Sequence, residues 1–277
     1  MTGGITNVLY LIKGLSIPKV LLRISGENTE HLIDREQELV TLVCLASIKV
    51  APPLYGRFKN GLFYGFVEGI TTTPEQLKDP IISQLIAEHL GYFHAKADVP
   101  GIPKVPILFD TIEKWLETAQ NQQIPEIQRA LDEIDFSLEK SKPLVTKLRS
   151  ELEHSAIMVC YCHNDLLSGN IIFDETNESG AAVHFIDFEY GGYNYRGFDI
   201  ANHFCEMMGF ELDKKAYPSD SFQTLWIETY LKSYMIHSDD EIPKDINADV
   251  QVLKEIVIRF AVLAHLFWGI WALIQHQ

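Results

Sequence analysis

The residues best suited to chemistry are two carboxylates and an amide at fixed spacing in the second half of the chain. In Cys162-His163-Asn164-Asp165-Leu166-Leu167-Ser168-Gly169-Asn170, four residues separate Asp165 from Asn170. Asp187, within Phe185-Ile186-Asp187-Phe188-Glu189, follows Asn170 by 17 positions. These types suit transfer of a phosphoryl group to an alcohol. A carboxylate such as Asp165 can orient the hydroxyl and accept its proton. Asn170 and Asp187, with Glu189 beside them, offer oxygen ligands for Mg²⁺ bridging nucleotide phosphates. The short apolar runs 171–173 and 183–186 read as the two strands of a hairpin, which would bring Asn170 and Asp187 together.

The elements that must position these residues fall into two groups. Runs 8–12 and 19–24 predict a hairpin, divided by Lys13-Gly14 and Pro18. Residues 34–48 carry apolar side chains at helical spacing with acids in the first turn, so a helix is expected there, stopped by Ala51-Pro52-Pro53. Leu54–Phe58 and 62–67 predict two more strands turning at Asn60-Gly61. After Glu68-Gly69 the pattern becomes helical: 81–97 is amphipathic, 108–153 holds several polar-faced helices, and the chain beyond Gly197 is mostly helix. Brief β runs, including 157–162, lie between. The expected class is α+β, with a small β-rich lobe over 1–69 and a large helical lobe over 70–277. A cleft between them is the natural place for a small-molecule site.

Composition narrows the partners. With 23 Lys+Arg against 38 Asp+Glu, the formal net charge is −15. This speaks against nucleic acids and anionic membranes, which attract basic surfaces. Four cysteines in 277 residues make no disulfide framework, so a reducing compartment is expected. The start carries no signal-peptide pattern, and 260–274, broken by His265, reads as a buried helix too short to span a bilayer. A cytoplasmic protein with no stable membrane insertion is the expectation. Cys160-x-Cys162-His163 has metal-binding residue types, but strand alternation points both thiols to one face of a packed core, and a structural role is preferred. His94 and His203 are read as structural, and His163 as a scaffold of the loop that carries Asp165.

The loop spacing resembles the H-R-D-x-x-x-x-N catalytic loop of protein kinases, with the Ile-Asp-Phe segment standing where kinases have D-F-G. The same scheme assigns the small lobe to nucleotide. Gly4, Thr6 and Asn7 lie in a Gly-rich turn able to cover phosphates. Arg23 sits where a kinase has its phosphate-pairing lysine, with Glu36 in the next helix as its candidate partner. Phe66 and Glu68 fall in a hinge strand, 65–69, whose backbone could hold an adenine.

More specifically, the sequence resembles the choline/ethanolamine kinase family over nearly its whole length. The resemblance is carried by Gly3-Gly4-Ile5-Thr6-Asn7, Val20-Leu21-Leu22-Arg23-Ile24-Ser25-Gly26, His163 to Asn170, Phe185 to Tyr190, Tyr193 to Glu206, and Ala264 to Gln275. It implies a two-lobed protein-kinase-like fold and ATP-dependent, Mg²⁺-assisted phosphorylation of a small amino-alcohol, the first step of the CDP-ethanolamine or CDP-choline route. It also implies an ammonium pocket formed by Glu206, Trp268 and Trp271 beside Asp165. Leu166-Leu167 is similar to ethanolamine kinases, where choline kinases tend to have Gln at the second position; Asn194 to Asp199 is common in choline kinases. Ethanolamine is the preferred acceptor and choline the alternative, with a homodimer as the possible assembly. A related aminoglycoside phosphotransferase is disfavoured by the 194–206 run and the paired tryptophans. A pseudokinase would have lost Asp165 or Asp187, and both are present. Family members have more chain before the Gly-rich turn and some tens of residues after the tryptophan helix, so a fragment or isoform is expected.

Overall fold

The structure, a computed structural model, describes residues 7–14, 18–25, 35–122, 124–153, 157–177, 180–238, 241 and 245–275. Gly4 and Thr6 of the Gly-rich turn lie outside them; Asn7 begins the first strand. β1 (Asn7–Ile12) and β2 (Val20–Ser25) form the expected hairpin. They are followed by α1 (Arg35–Ser47), β3 (Leu54–Phe58) and β4 (Gly61–Gly65), and the sheet order is β1-β2-β4-β3. The register sets Arg23 between Leu9 and Leu62, so all three share one face. On α1, Glu38, Thr41, Leu42 and Leu45 are buried, a stripe at helical spacing.

Two details of this sheet differ from the sequence reading. The turn between β3 and β4 is Lys59-Asn60, one residue earlier than expected. Gly61 is already paired with Ile24, and a Cβ there would stand 2.1 Å from the Arg23 carbonyl oxygen. Close strand approach, not a left-handed turn, therefore demands that glycine. β4 stops at Gly65, so Phe66 and Glu68 lie beyond the strand. Phe66 N–H still donates to the Lys19 carbonyl, and Lys19 Nζ pairs with Glu68 at 2.6 Å.

The remainder is mostly helical. β5 (Ile70–Thr71) joins β7 (Ile171–Asp174) and β8 (Ala182–Phe185) in one small sheet, while β6 (Val159–Cys162) pairs with β9 (Gly192–Tyr195). Around them lie α2 (Pro80–Lys96), α3 (Leu108–Gln122), α4 (Pro125–Glu133), α5 (Leu138–Glu153), α6 (Arg196–Glu206), α7 (Asp220–Ser238) and α8 (Asn247–Gln275). α2 starts sharply because Asp79 Oδ1 accepts from the Ile81 and Ile82 amides, with Pro80 at the first helical position. It then lies against α7 at Gly91, where a Cβ would stand 2.6 Å from the Tyr230 carbonyl. α8 packs on α6, α3 and α7. It buries one stripe through Val250, Phe260 and Ile274, as the buried-helix reading expected. Its length is corrected, however: it runs 29 residues, and by length and composition alone it is long and apolar enough to cross a membrane. β9 was not foreseen, since all four of its residues are buried and period-2 alternation is lost.

Candidate active site

The loop 163–170 leaves β6, enters β7, and is held from behind by one carboxylate. Asp199, on the first turn of α6, accepts from the His163 amide through Oδ2 at 2.8 Å and from the Asn164 amide through Oδ1 at 2.8 Å. Oδ2 also lies 3.0 Å from His94 Nε2, and all of these groups are buried. Burial opposes charge on both, yet the surroundings outweigh it: His94 holds Asp199 below the usual carboxylate range, and Cys160, Tyr230 and Asp199 together hold His94 well above the usual imidazole value. Asn164 adopts φ of +65°, a conformation asparagine tolerates better than most residues. Its side chain donates to the Tyr190 carbonyl at 2.9 Å and accepts from Asn194 at 2.8 Å.

The two catalytic segments are stitched to each other. The Ile186 amide donates to the Asn170 carbonyl at 3.0 Å, and His163 Nε2 lies 2.9 Å from the Ile186 carbonyl. Burial lowers the His163 pKa, so the ring is neutral and Nε2 carries the proton it donates. Asn170 Nδ2 donates to the Asp165 carboxylate at 3.0 Å and to its carbonyl at 2.8 Å. With the nitrogen committed, the amide oxygen is the end of Asn170 that could ligate a cation. Asp187 sits at φ +63°, a strained value that its neighbours must impose. Its Oδ1 is enclosed without a hydrogen-bond partner among the described residues, 3.7 Å from Arg23 Nη1.

This orphaned oxygen fits a divalent ion. Ligand atoms of Glu38, Asp187 and Glu189 lie within 4.8 Å of one another, an all-oxygen set suited to Mg²⁺. Glu38 is occupied by Arg23 and Arg35, and Glu189 Oε2 lies 3.7 Å from Arg35 Nη1. Asp187 and the Asn170 oxygen are thus the donors best placed to take an ion, with Glu189 at the edge.

Arg23 meets a different acid from the one expected. Its guanidinium pairs with Glu38, both side chains being almost fully buried. Burial disfavours the charge, but Glu38 and Asp187 together raise the Arg23 pKa above its ordinary value. Glu36 instead faces solvent and binds Arg57 at 2.8 Å. The reason is helical phase: Glu38 lies on the buried stripe with Thr41, Leu42 and Leu45, and Glu36 does not. The same stripe, visible in the sequence, could have selected Glu38.

Tyr190, close enough to Asp165 for its hydroxyl to feel that charge, belongs to a cluster of aromatic rings. Trp268 Nε1 donates to Asn202 Oδ1 at 2.8 Å, and Trp271 Nε1 donates to the Tyr190 hydroxyl at 2.9 Å. The Tyr190 and Trp268 rings meet edge to face with centroids 5.3 Å apart. Both tryptophans are only half-buried, so their rings still present surface. Glu206, at the end of α6, is pushed up to about 7 by burial. Asp165 is raised well above the usual carboxylate range, first by burial and then by Glu206, Asp187 and Glu189. Three acids therefore add their charge to that of Asp165, which favours cations near it.

The structure thus gathers Asn170, Asp187, Glu189 and Glu206 around Asp165, with Arg23 3.7 Å from Asp187 and Trp268 and Trp271 joined on through Asn202 and Tyr190. Sequence reasoning missed Asp199, Glu38, Tyr190 and Asn202. For Asp199 the available signal was an acid inside an apolar helical run, which a buried partner must satisfy.

The chain as a whole is similar to known proteins. The profile of the choline/ethanolamine kinase family matches residues 1–277. Human ethanolamine kinase 2 is 36% identical over 280 residues, an alignment covering 100% of this chain and 69% of that protein. The structure of Plasmodium vivax ethanolamine kinase superposes with TM-score 0.84 at 29% identity, covering 99% of this chain and 75% of that one. Choline kinase from Cryptosporidium parvum gives TM-score 0.75 at 27% identity, covering 99% and 82%.

The two glutamates of α1 give a direct check. Replacing Glu38 by Gln strands a buried guanidinium and should lower stability by about 3–5 kcal/mol. Glu36→Gln removes only a solvent-exposed pair and should change it by less than about 1 kcal/mol. Urea-unfolding midpoints of the two variants measure the difference.

Proposed function

The chain belongs to the choline/ethanolamine kinase family, and from that premise we propose that it transfers the γ-phosphoryl group of ATP to ethanolamine, giving phosphoethanolamine. The observation that supports this reading is that Asp165 is hydrogen-bonded to Asn170 and lies within electrostatic reach of Asp187 and Glu206, with the Tyr190, Trp268 and Trp271 rings adjoining through Tyr190. Residues 1–69 form the nucleotide-binding lobe in this proposal, and 70–277 carry the catalytic groups and the acceptor site.

ATP lies between the two parts, with Arg23 at its phosphates and the main chain of Phe66 and Glu68 at its base. Asn170 and Asp187, with Glu189 nearby, hold Mg²⁺, which when bound neutralises phosphate charge and fixes the phosphate geometry. Asp165 orients the acceptor hydroxyl and takes its proton as that oxygen bonds to the γ-phosphorus and the bond to ADP breaks. Its raised proton affinity in the free site falls when the ammonium group of the acceptor enters among the acids.

A primary ammonium offers three N–H donors and needs acceptors, whereas a quaternary one needs only aromatic faces. Glu206 supplies a carboxylate beside Trp268 and Trp271, and this favours ethanolamine. Choline is the second reading, supported by the aromatic walls. The proposed location is the cytoplasm, without membrane insertion, where the free thiols of Cys44, Cys160, Cys162 and Cys205 would persist.

A coupled ADP-release assay offering ethanolamine, choline and an aminoglycoside side by side tests the reading. Ethanolamine should give the highest kcat/KM; a higher value for choline reverses the assignment, and turnover of the aminoglycoside alone removes it. Asp165→Ala should lower kcat by about 10²-fold or more while Mg-ATP binding persists.

A pH titration examines Glu206. Only its ionised form attracts an ammonium group, and it titrates at about 7. The KM for ethanolamine should therefore climb as pH falls from about 8 to about 6, approaching tenfold per unit at the acid end. Glu206→Gln should raise KM at the alkaline end and flatten that climb; a wild-type profile retained in the variant would assign the step elsewhere.

A further inference from the structure

Behind the loop that carries Asp165 lies a second group of ligand atoms that the phosphoryl-transfer reading does not use. Cys160 and Cys162 stand two apart on β6 with their sulfurs 3.7 Å from each other. As strand alternation requires, both thiols face the same way, into the interior beneath α2. The histidine that joins them is not the neighbour in sequence, His163, whose ring turns to the Ile186 carbonyl. It is His94, from the last turn of α2. The two sulfurs and one nitrogen of its ring all lie within 4.8 Å of one another, and all three residues are buried.

We propose that His94, Cys160 and Cys162 form a structural site for a zinc-class ion, a soft divalent cation that prefers tetrahedral sulfur and nitrogen ligands. The spacing is that of such a site. Two thiolates at Zn–S distances of about 2.3 Å and a tetrahedral angle sit about 3.8 Å apart, against 3.7 Å here. A disulfide would need the sulfurs to close to about 2.05 Å, against the pairing of β6 with β9 that fixes both residues in register.

The surroundings fit as well. His94 Nε2 faces the Asp199 carboxylate at 3.0 Å, the second partner that a metal-bound imidazole usually has. The other ring nitrogen, Nδ1, is 2.8 Å from the Tyr230 hydroxyl, which is the neighbour available for the fourth corner. Because Asp199 also holds the His163 and Asn164 amides, the ion would brace the catalytic loop from behind. Being fully enclosed, it would enter during folding. It is separate from the oxygen-ligand site at Asn170 and Asp187.

The test is the metal content of the full chain, produced with added zinc and dialysed natively against a chelator. The wild type and Cys44→Ser should each keep about one zinc per chain. Cys160→Ser and Cys162→Ser should keep almost none. A wild type that holds no zinc, even after refolding with it, overturns the site, as does zinc retained equally by both serine variants. Should the variants not fold, X-ray absorption on the wild type decides. Two sulfurs at about 2.3 Å with nitrogen at about 2.0 Å are expected, and a shell without sulfur refutes the assignment.

Discussion

A buried carboxylate that must be satisfied on both oxygens organises the catalytic half of this chain. Asp199 cannot be hydrated where α6 places it, so its charge is met by His94 and by two successive amides at the head of the loop 163–170. Those amides belong to residues with no regular partner of their own, one of them in a left-handed conformation. A loop in such a conformation persists only where its surroundings over-determine it. Asp199 supplies that determination from a helix rather than from another loop, which places Asp165 on a rigid base. His163 and Asn164 pass the constraint on, to Ile186 and Tyr190 respectively. The position of Asp187 and of the aromatic wall thus follows from the same buried charge.

Around this frame the electrostatics are unbalanced by design of the site. Behind Asp165 the acid at 199 is offset by His94, whereas Asp187, Glu189 and Glu206 each press their negative charge on Asp165 itself. Arg23 and Arg35 offset part of that negative charge from the strand and helix of the N-terminal sheet. The arginines are themselves tied to Glu38, so their charge is spread over both walls. An arrangement of this kind binds a cationic acceptor and a metal-bound nucleotide more readily than either alone, since each cation lowers the repulsion that the other meets.

Much of this was legible in the residues because the relevant signals are local. The spacing of Asp165, Asn170 and Asp187, the hairpin between β7 and β8, and the helix ending near Ser47 rest on short-range patterns that the fold keeps. The misassignments share a cause of another kind. Glu36 and Glu38 are two apart, and only the phase of α1 against the sheet decides which meets Arg23. Asn60-Gly61 looks like a hairpin turn in isolation, yet Gly61 is required by the strand beside it. β9 carries no alternation because it is buried on both faces. Asp199 and His94 are 105 residues apart, and no spacing rule links them. What could not be read was set by tertiary contact, and at the site that meant the partners that hold catalytic groups rather than those groups themselves.

The claim that a buried charge at residue 199 fixes the catalytic loop is tested most directly by Asp199→Asn, which keeps the shape and removes the charge. Steady-state kinetics and Mg-ATP affinity should be measured on the same preparation. The account predicts kcat lowered by about 10²-fold or more through displacement of Asp165, with Mg-ATP affinity lowered less: Asp187 is disturbed through His163 and Ile186, whereas Arg23 and the N-terminal sheet are not tied to this residue. A kcat equal to that of the unaltered chain would contradict it.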